Sequence, residues 1–273
     1  MMSLTPLLAS LLTPAALAQD PEFADVEVKD EVVLVEEAET KVSVEVGGAL
    51  ASGNVEFQSA QGRAVVTHRW AQNGVALNLT GNIGRSVVDG DEDGLLSDAE
   101  RDLGFQETAR RLNAEGRYDR FVAKRSSLYA LVGALLDPYA GYDLRTHEQV
   151  GVSRRFIDKE KFKLTSELGI DFAQENYVDG IVPNSQNVLA ARVFLGTAWM
   201  PSEKVSITND LEAYENLLVL EDLRVLDTLA VSAGLSDVFS VKTSYALVFD
   251  NVPVEGFRKT DSVVMVTLVA SLL

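Results

Sequence analysis

From Lys41 onward the chain repeats with a period of two. Phe162, Leu164, Ser166, Leu168, Ile170 and Phe172 alternate with Lys163, Thr165, Glu167, Gly169 and Asp171. On an extended strand this spacing sends one set of side chains to each face, one apolar and one polar. The pattern recurs in Val75, Leu77, Leu79 and Ile83 against Asn78, Thr80 and Asn82, and in Val205, Ile207, Leu211 and Ala213 against Ser206, Thr208, Asp210 and Glu212. It returns in Val241, Thr243, Tyr245, Leu247 and Phe249 against Lys242, Ser244 and Asp250, and weakens between Leu223 and Leu235. No segment beyond the first twenty residues approaches the roughly 20 apolar residues of a membrane-spanning helix. If such a chain crosses a membrane, it does so as a closed barrel, where every backbone group finds a partner on a neighbouring strand.

Reading each run between turn signals predicts about twelve strands, near 41–51, 55–70, 74–84, 105–118, 122–136, 141–155, 162–174, 186–199, 203–216, 222–236, 238–250 and 261–272. Tight turns are expected at Gln72-Asn73-Gly74, Asp119-Arg120, Asp158-Lys159-Glu160, Pro201-Ser202-Glu203 and Ser236-Asp237. Every other connection is as long or longer, notably residues 85–104, 175–186 and 251–260. That parity is the habit of a transmembrane antiparallel up-and-down β-barrel with short periplasmic turns and longer outer loops.

Aromatic residues divide in the same way. Trp70, Tyr118, Phe121, Phe156, Phe162, Trp199 and Phe239 lie beside the expected tight turns. Phe57, Phe105, Tyr139, Tyr142, Tyr177, Tyr214, Phe249 and Phe257 lie near the opposite ends, as two interfacial girdles would require. The polar face mixes Arg63, Arg69, Arg125, Arg145, Lys163, Arg192 and Lys242 with Asp143, Glu167, Asp171, Asp210, Glu212 and Asp250. Two readings follow, a lumen filled by paired charges or a conducting pore, and strand number does not choose between them.

Residues 1–18 contain an apolar stretch from Leu4 to Leu17 that ends in Ala16-Leu17-Ala18, and they are expected to form a cleaved signal peptide. Residues 19–40 are acidic and rich in valine and are expected to form a periplasmic lead-in, with the barrel over 41–273. The chain has no cysteine, which excludes thiol catalysis and suits an oxidising compartment. A formal net charge of −17 argues against a nucleic-acid partner, which requires clustered cations, and favours divalent cations. The expected localisation is the bacterial outer membrane, with membrane lipid and the barrel-assembly machinery as partners. The chain ends Ala270-Ser271-Leu272-Leu273, without the aromatic residue that commonly closes such barrels.

Residues 89–100 match the calcium-loop pattern D-x-[DN]-x-[DN]-G-x5-E at every required position. Asp89, Asp91 and Asp93 would present carboxylates around a bend permitted by Gly94. Leu95 would offer its carbonyl, Ser97 would bind directly or through water, and Glu100 would close the shell with both oxygens. The preceding Ile83–Val88 reads as strand, and only Ser97–Leu103 could form a helical turn, so weak calcium binding is expected. The histidines are His68 and His147, and no nucleophile motif accompanies either, so no catalytic residue is assigned. Two alternatives stay open at this point, a secreted soluble β-sandwich that binds calcium and, less favoured, an outer-membrane hydrolase.

A series of short signatures runs in order through the chain: Gly47-Gly48-Ala49, Ser52-Gly53-Asn54, Gly116-Arg117-Tyr118-Asp119-Arg120-Phe121, Asp137, Asp143-Leu144-Arg145, Gly151-Val152, Glu175, Tyr177 and Asp261. Over residues 41–273 the chain thereby resembles the domain of unknown function 481 family, whose members are described as salt-induced outer-membrane proteins. The resemblance implies an outer-membrane barrel, a small pore or an envelope-structural protein, linked to salt or osmotic response. It brings no catalytic or binding residues with it.

Overall fold

The computed structural model describes residues 35–52, 56–91, 96–254 and 257–272. The expected signal peptide and residues 19–34 of the expected lead-in lie outside them. The described residues hold twelve strands: β1 (Val35–Ala51), β2 (Phe57–Ala71), β3 (Asn73–Ser86), β4 (Gln106–Ala123), β5 (Ser126–Asp137) and β6 (Tyr142–Lys159), followed by β7 (Phe162–Tyr177), β8 (Ser185–Ser202), β9 (Val205–Asn216), β10 (Leu223–Gly234), β11 (Phe239–Asp250) and β12 (Thr260–Ser271). A short helix, α1 (Asp98–Asp102), interrupts the longest connection. Each strand pairs antiparallel with its sequence neighbours, and β1 pairs with β12, so the sheet closes into a barrel. This replaces the two-sheet sandwich that the sequence had left open.

One end of the barrel carries the tight turns, where β2 and β3 are separated only by Gln72, β4 and β5 by Lys124 and Arg125, and β8 and β9 by Glu203 and Lys204. The other carries the long connections. Two expectations need correction here. β1 begins at Val35, six residues before Lys41, and pairs Glu39 with Arg69. β4 continues through Asp119 and Arg120 to Ala123, moving its turn to Lys124-Arg125. Asp119 is polar because it faces the lumen, where Arg117 and Ser127 donate to it, and not because the chain turns there.

The distribution of side chains is the reverse of a soluble protein's. Leu77, Val132, Val150 and Leu168 point outward and are 57%, 59%, 61% and 57% exposed, while Asp119, Glu167, Asp171 and Glu175 inside are each 1% exposed. Water outside would make that apolar surface costly, at about 25 cal/mol for each Å² left uncovered. A surrounding hydrocarbon phase removes the cost and favours an apolar outer face. Trp70, Tyr118, Phe156, Trp199 and Phe239 are exposed near the turn end and form a girdle there; of the other two aromatics expected in it, Phe162 is half-buried and Phe121 lies under the buried Arg69 guanidinium. The opposite aromatic group does not form a second one as a set. Phe105 is exposed, but Tyr142 and Tyr177 meet in a tilted ring pair with centroids 5.8 Å apart, and Tyr214 packs against interior Ala173, Val188 and Ala190.

Candidate functional site

The lumen is filled by charges that satisfy one another in two tiers. In the tier nearer the turns, Glu167 on β7 is the shared acceptor. Arg117 on β4 donates to it from Nη2 at 2.6 Å and from Nη1 at 3.2 Å, and Arg192 on β8 donates from Nη1 at 2.6 Å. Arg117 also binds Asp119, at 2.7 and 3.0 Å, and Arg192 also binds Glu212 on β9. Tyr129 on β5 lies across this group, its hydroxyl accepting from Arg192 at 2.9 Å and its ring 4.3 Å from the Arg117 guanidinium carbon.

Glycines create the room for that ring. A Cβ at Gly151 would sit 2.7 Å from the Tyr129 ring, and one at Gly169 would sit 2.5 Å from its hydroxyl. Both distances are below any ordinary contact, so the tyrosine occupies the space that two side chains on β6 and β7 would have taken. A Cβ at Gly133 would likewise meet the His147 ring.

In the tier nearer the loops, Glu175 accepts from Arg145 Nε at 3.1 Å, Arg224 Nη1 at 2.5 Å and the Tyr177 hydroxyl at 2.7 Å. Arg224 reaches Asp222 at 3.1 Å and Asp250 at 3.3 Å. Between the tiers, His147 Nδ1 lies 3.0 Å from Asp171 Oδ1 and 3.3 Å from the Gln149 amide nitrogen. Its named ring partners are carboxylates and an amide, not a hydroxyl that could act as a nucleophile. On the turn side of the first tier the filling stops. A cavity of about 440 Å³ lies there, lined by Lys41, Arg63, Arg155 and Lys163 with Glu45 and Asp210.

Of the polar-face residues read from the sequence, Arg63, Arg69, Arg145, Lys163, Arg192, Lys242, Glu167, Asp171, Asp210, Glu212 and Asp250 belong to the interior. Arg125 instead lies in a turn, and Asp143 is exposed because a register shift between Tyr142 and Leu144 rotates it outward. Arg117, Tyr129 and Arg224 were missed. Tyr129 hides in Leu128–Leu136, where both faces read as apolar.

The acidic loop folds around α1. Ser97 is its N-cap and Glu100 its third residue, and the two form a capping box. Both Glu100 oxygens are engaged: Oε2 accepts from Ser97 N at 2.9 Å and Ser97 Oγ at 2.8 Å, and Oε1 accepts from Gly90 N at 2.5 Å. These bonds, led by the one from the Ser97 backbone, hold its carboxyl below the ordinary value of 4.5. Carboxylate oxygens of Asp89, Asp91 and Glu100 all lie within 4.8 Å of one another. Two ligands of one calcium ion, each at about 2.3–2.6 Å, can be at most about 5.2 Å apart, so this donor set fits a calcium shell. Asp93 and Leu95 lie outside the described residues. Arg101 pairs with Glu56, tying the helix to the barrel rim, and Gly104 ends it at a φ of +73°.

A family described as "Protein of unknown function, DUF481" matches residues 44–272. No curated protein matches the chain. Among solved structures, the NanC porin superposes with a TM-score of 0.50 at 8% identity, covering 85% of this chain and 100% of its own. An outer-membrane channel from Pseudomonas putida F1 gives 0.47 at 12% identity, with 90% and 100% covered. The first likeness shows the fold, that of an outer-membrane porin-type barrel, and supports an outer-membrane location.

Proposed function

The chain belongs to DUF481, a family of proteins of unknown function, and on that footing we propose that it is a small outer-membrane pore held shut by a charged plug. The observation that carries this reading is the Arg117–Glu167–Arg192–Glu212 tier, which crosses the lumen one side-chain layer above the cavity lined by Thr165 and Asp210. A barrel built only for mechanical support has no need to leave a charged chamber against its plug. The chamber carries more cationic than acidic side chains and favours small anions over cations.

In this reading the chain reaches the outer membrane by a cleaved signal peptide and the barrel-assembly machinery. Its longest outer loop binds calcium through Asp89, Asp91, Asp93, the Leu95 carbonyl, Ser97 and Glu100. Bound calcium would fix α1 against the rim; at roughly 10⁻⁴–10⁻³ M, the affinity would be that of other extracellular sites. The proposed link to salt response rests on the plug, since ionic strength weakens ion pairs, though buried pairs are screened less than exposed ones. No catalytic role is proposed for His147.

Planar-bilayer conductance of the refolded barrel, first in calcium and then in chelator, tests the proposal. Brief openings that lengthen in Glu167→Gln support a plugged pore, and openings that change with chelator support the calcium loop. Silence in both proteins returns the barrel to the second reading, an envelope-structural protein, which the density of the ion-pair filling favours.

A further inference from the structure

The barrel wall is not equally closed around its circumference. β1 stays in register with β2 as far as Ala51, opposite Phe57, and β12 with β11 as far as Thr260, opposite Phe249. β1 and β12 pair with each other only from Ser43–Ser271 to Gly47–Thr267. Beyond Gly47, residues 48–51 and 260–266 each have a partner strand on one side, and no ladder joins them across the seam. The seam closes tightly at its lower end, where a Cβ on Gly47 would lie 2.8 Å from Thr267 Cγ2 and 2.9 Å from the Val266 carbonyl.

The depth of the gap follows from register. Phe239, in the exposed girdle, is opposite Ala270, and Val266 lies four residues further along β12. With a rise of about 3.4 Å per residue and a tilt of about 40°, the gap begins about 10 Å above the girdle, in an apolar band about 25 Å tall. It therefore opens from near the middle of the hydrocarbon layer upward. A cavity of about 310 Å³ occupies it and is lined from both sides of the wall. Tyr245 and Val264 belong to the exposed outer face, whereas Ser59, Gln61, Val263 and Met265 belong to the lumen side.

Open strand edges persist at membrane depth only where they line a space that water reaches or protein covers. This gap has polar strand edges and Ser59 and Gln61 inside, and an apolar rim outside. We propose that it is a lateral portal for a single-chain amphiphile, whose hydrocarbon tail enters from the bilayer past Tyr245 and Val264 while its polar head meets the lumen edge at Ser59 and Gln61. The proposal rests on the membrane reading, but not on the plug or the calcium loop.

Tryptophan quenching by 9,10-dibromostearic acid, in phosphatidylcholine vesicles holding the full barrel, tests it. In a W70F/W199F background, one tryptophan is placed at a time: M265W at the portal, L79W on the outer face and T165W in the turn-side cavity. L79W and M265W are expected to lose most of their fluorescence and T165W little. Bridging A51C to V263C with a bifunctional thiol reagent, in a chain that has no other cysteine, should protect M265W alone. If L79W is quenched and M265W is no more affected than T165W, the portal is overturned. If L79W itself is unquenched, the membrane reading fails instead. An S59W reporter gives the same comparison should M265W not fold.

Discussion

In Glu167→Gln the side chain keeps its size and loses its charge, so the change isolates what the shared carboxylate does. Wild-type Glu167 accepts three bonds, at 2.6, 3.2 and 2.6 Å, from two guanidinium groups. A glutamine carbonyl can keep one strong bond, and its NH₂ then faces a guanidinium, donor against donor. Two charge-assisted bonds are lost, at about 1.5–3 kcal/mol each. Arg117 keeps Asp119 and Arg192 keeps Glu212, so neither cation is left bare. The expected cost is about 3 kcal/mol, the low end of the range for breaking a buried pair by changing one partner. That is more than a hundredfold in the unfolding equilibrium. Urea titration in lipid vesicles, followed by the fluorescence of Trp70 and Trp199, measures it. A loss below about 1 kcal/mol would mean that water or rotated side chains already satisfy Arg117 and Arg192, and would refute a plug held by this carboxylate.

Gly151→Ala should cost about 1–3 kcal/mol by driving a methyl group into the Tyr129 ring, and combining it with Tyr129→Ala should recover part of the loss in the same titration. Glu100→Gln should abolish calcium binding measured by calorimetry, while Asp102→Asn, just beyond the loop pattern, should leave it intact. Because the Glu100 carboxyl is held below 4.5 when the loop is closed, its contribution to closure is fully present above that value and disappears only as pH falls through the lowered one. The Gly90 amide resonance should therefore be unchanged from pH 7 to about 5 and shift only in stronger acid. Brominated lipids should quench wild-type Trp70 and Trp199 most strongly when the bromines lie near the headgroups, as girdle residues require.

The strands and their parity were legible because each needs only its own alternation and the turn that follows. The helical turn in the loop was legible for a related reason: Ser97 and Glu100 are three residues apart, the spacing of a capping box, which the proposed calcium pattern shares. The plug was only half visible. Glu167, Arg192 and Glu212 stand out as charges on an alternating strand, but Tyr129 reads as one more apolar residue. Its role depends on Gly151 and Gly169, which reach it only through the register of β5, β6 and β7. Asp119-Arg120 misled in the opposite sense, since lumen-facing charge and turn chemistry draw on the same residues. The contact between Tyr142 and Tyr177 follows from the register shift at Asp143, which no local pattern announces.

The short β1–β12 seam also bears on how the barrel is made. Every other strand pair joins neighbours in sequence, so hairpins can be added one after another, each closing a small loop at little entropic cost. Only the seam joins the two ends of the sheet, and it has the fewest paired residues with which to offset that closure. Circularisation is therefore expected to be the last and slowest step of assembly, and the first to reverse under denaturant. An intermediate with eleven pairings formed and the twelfth open would be the species on which chaperones and assembly factors act.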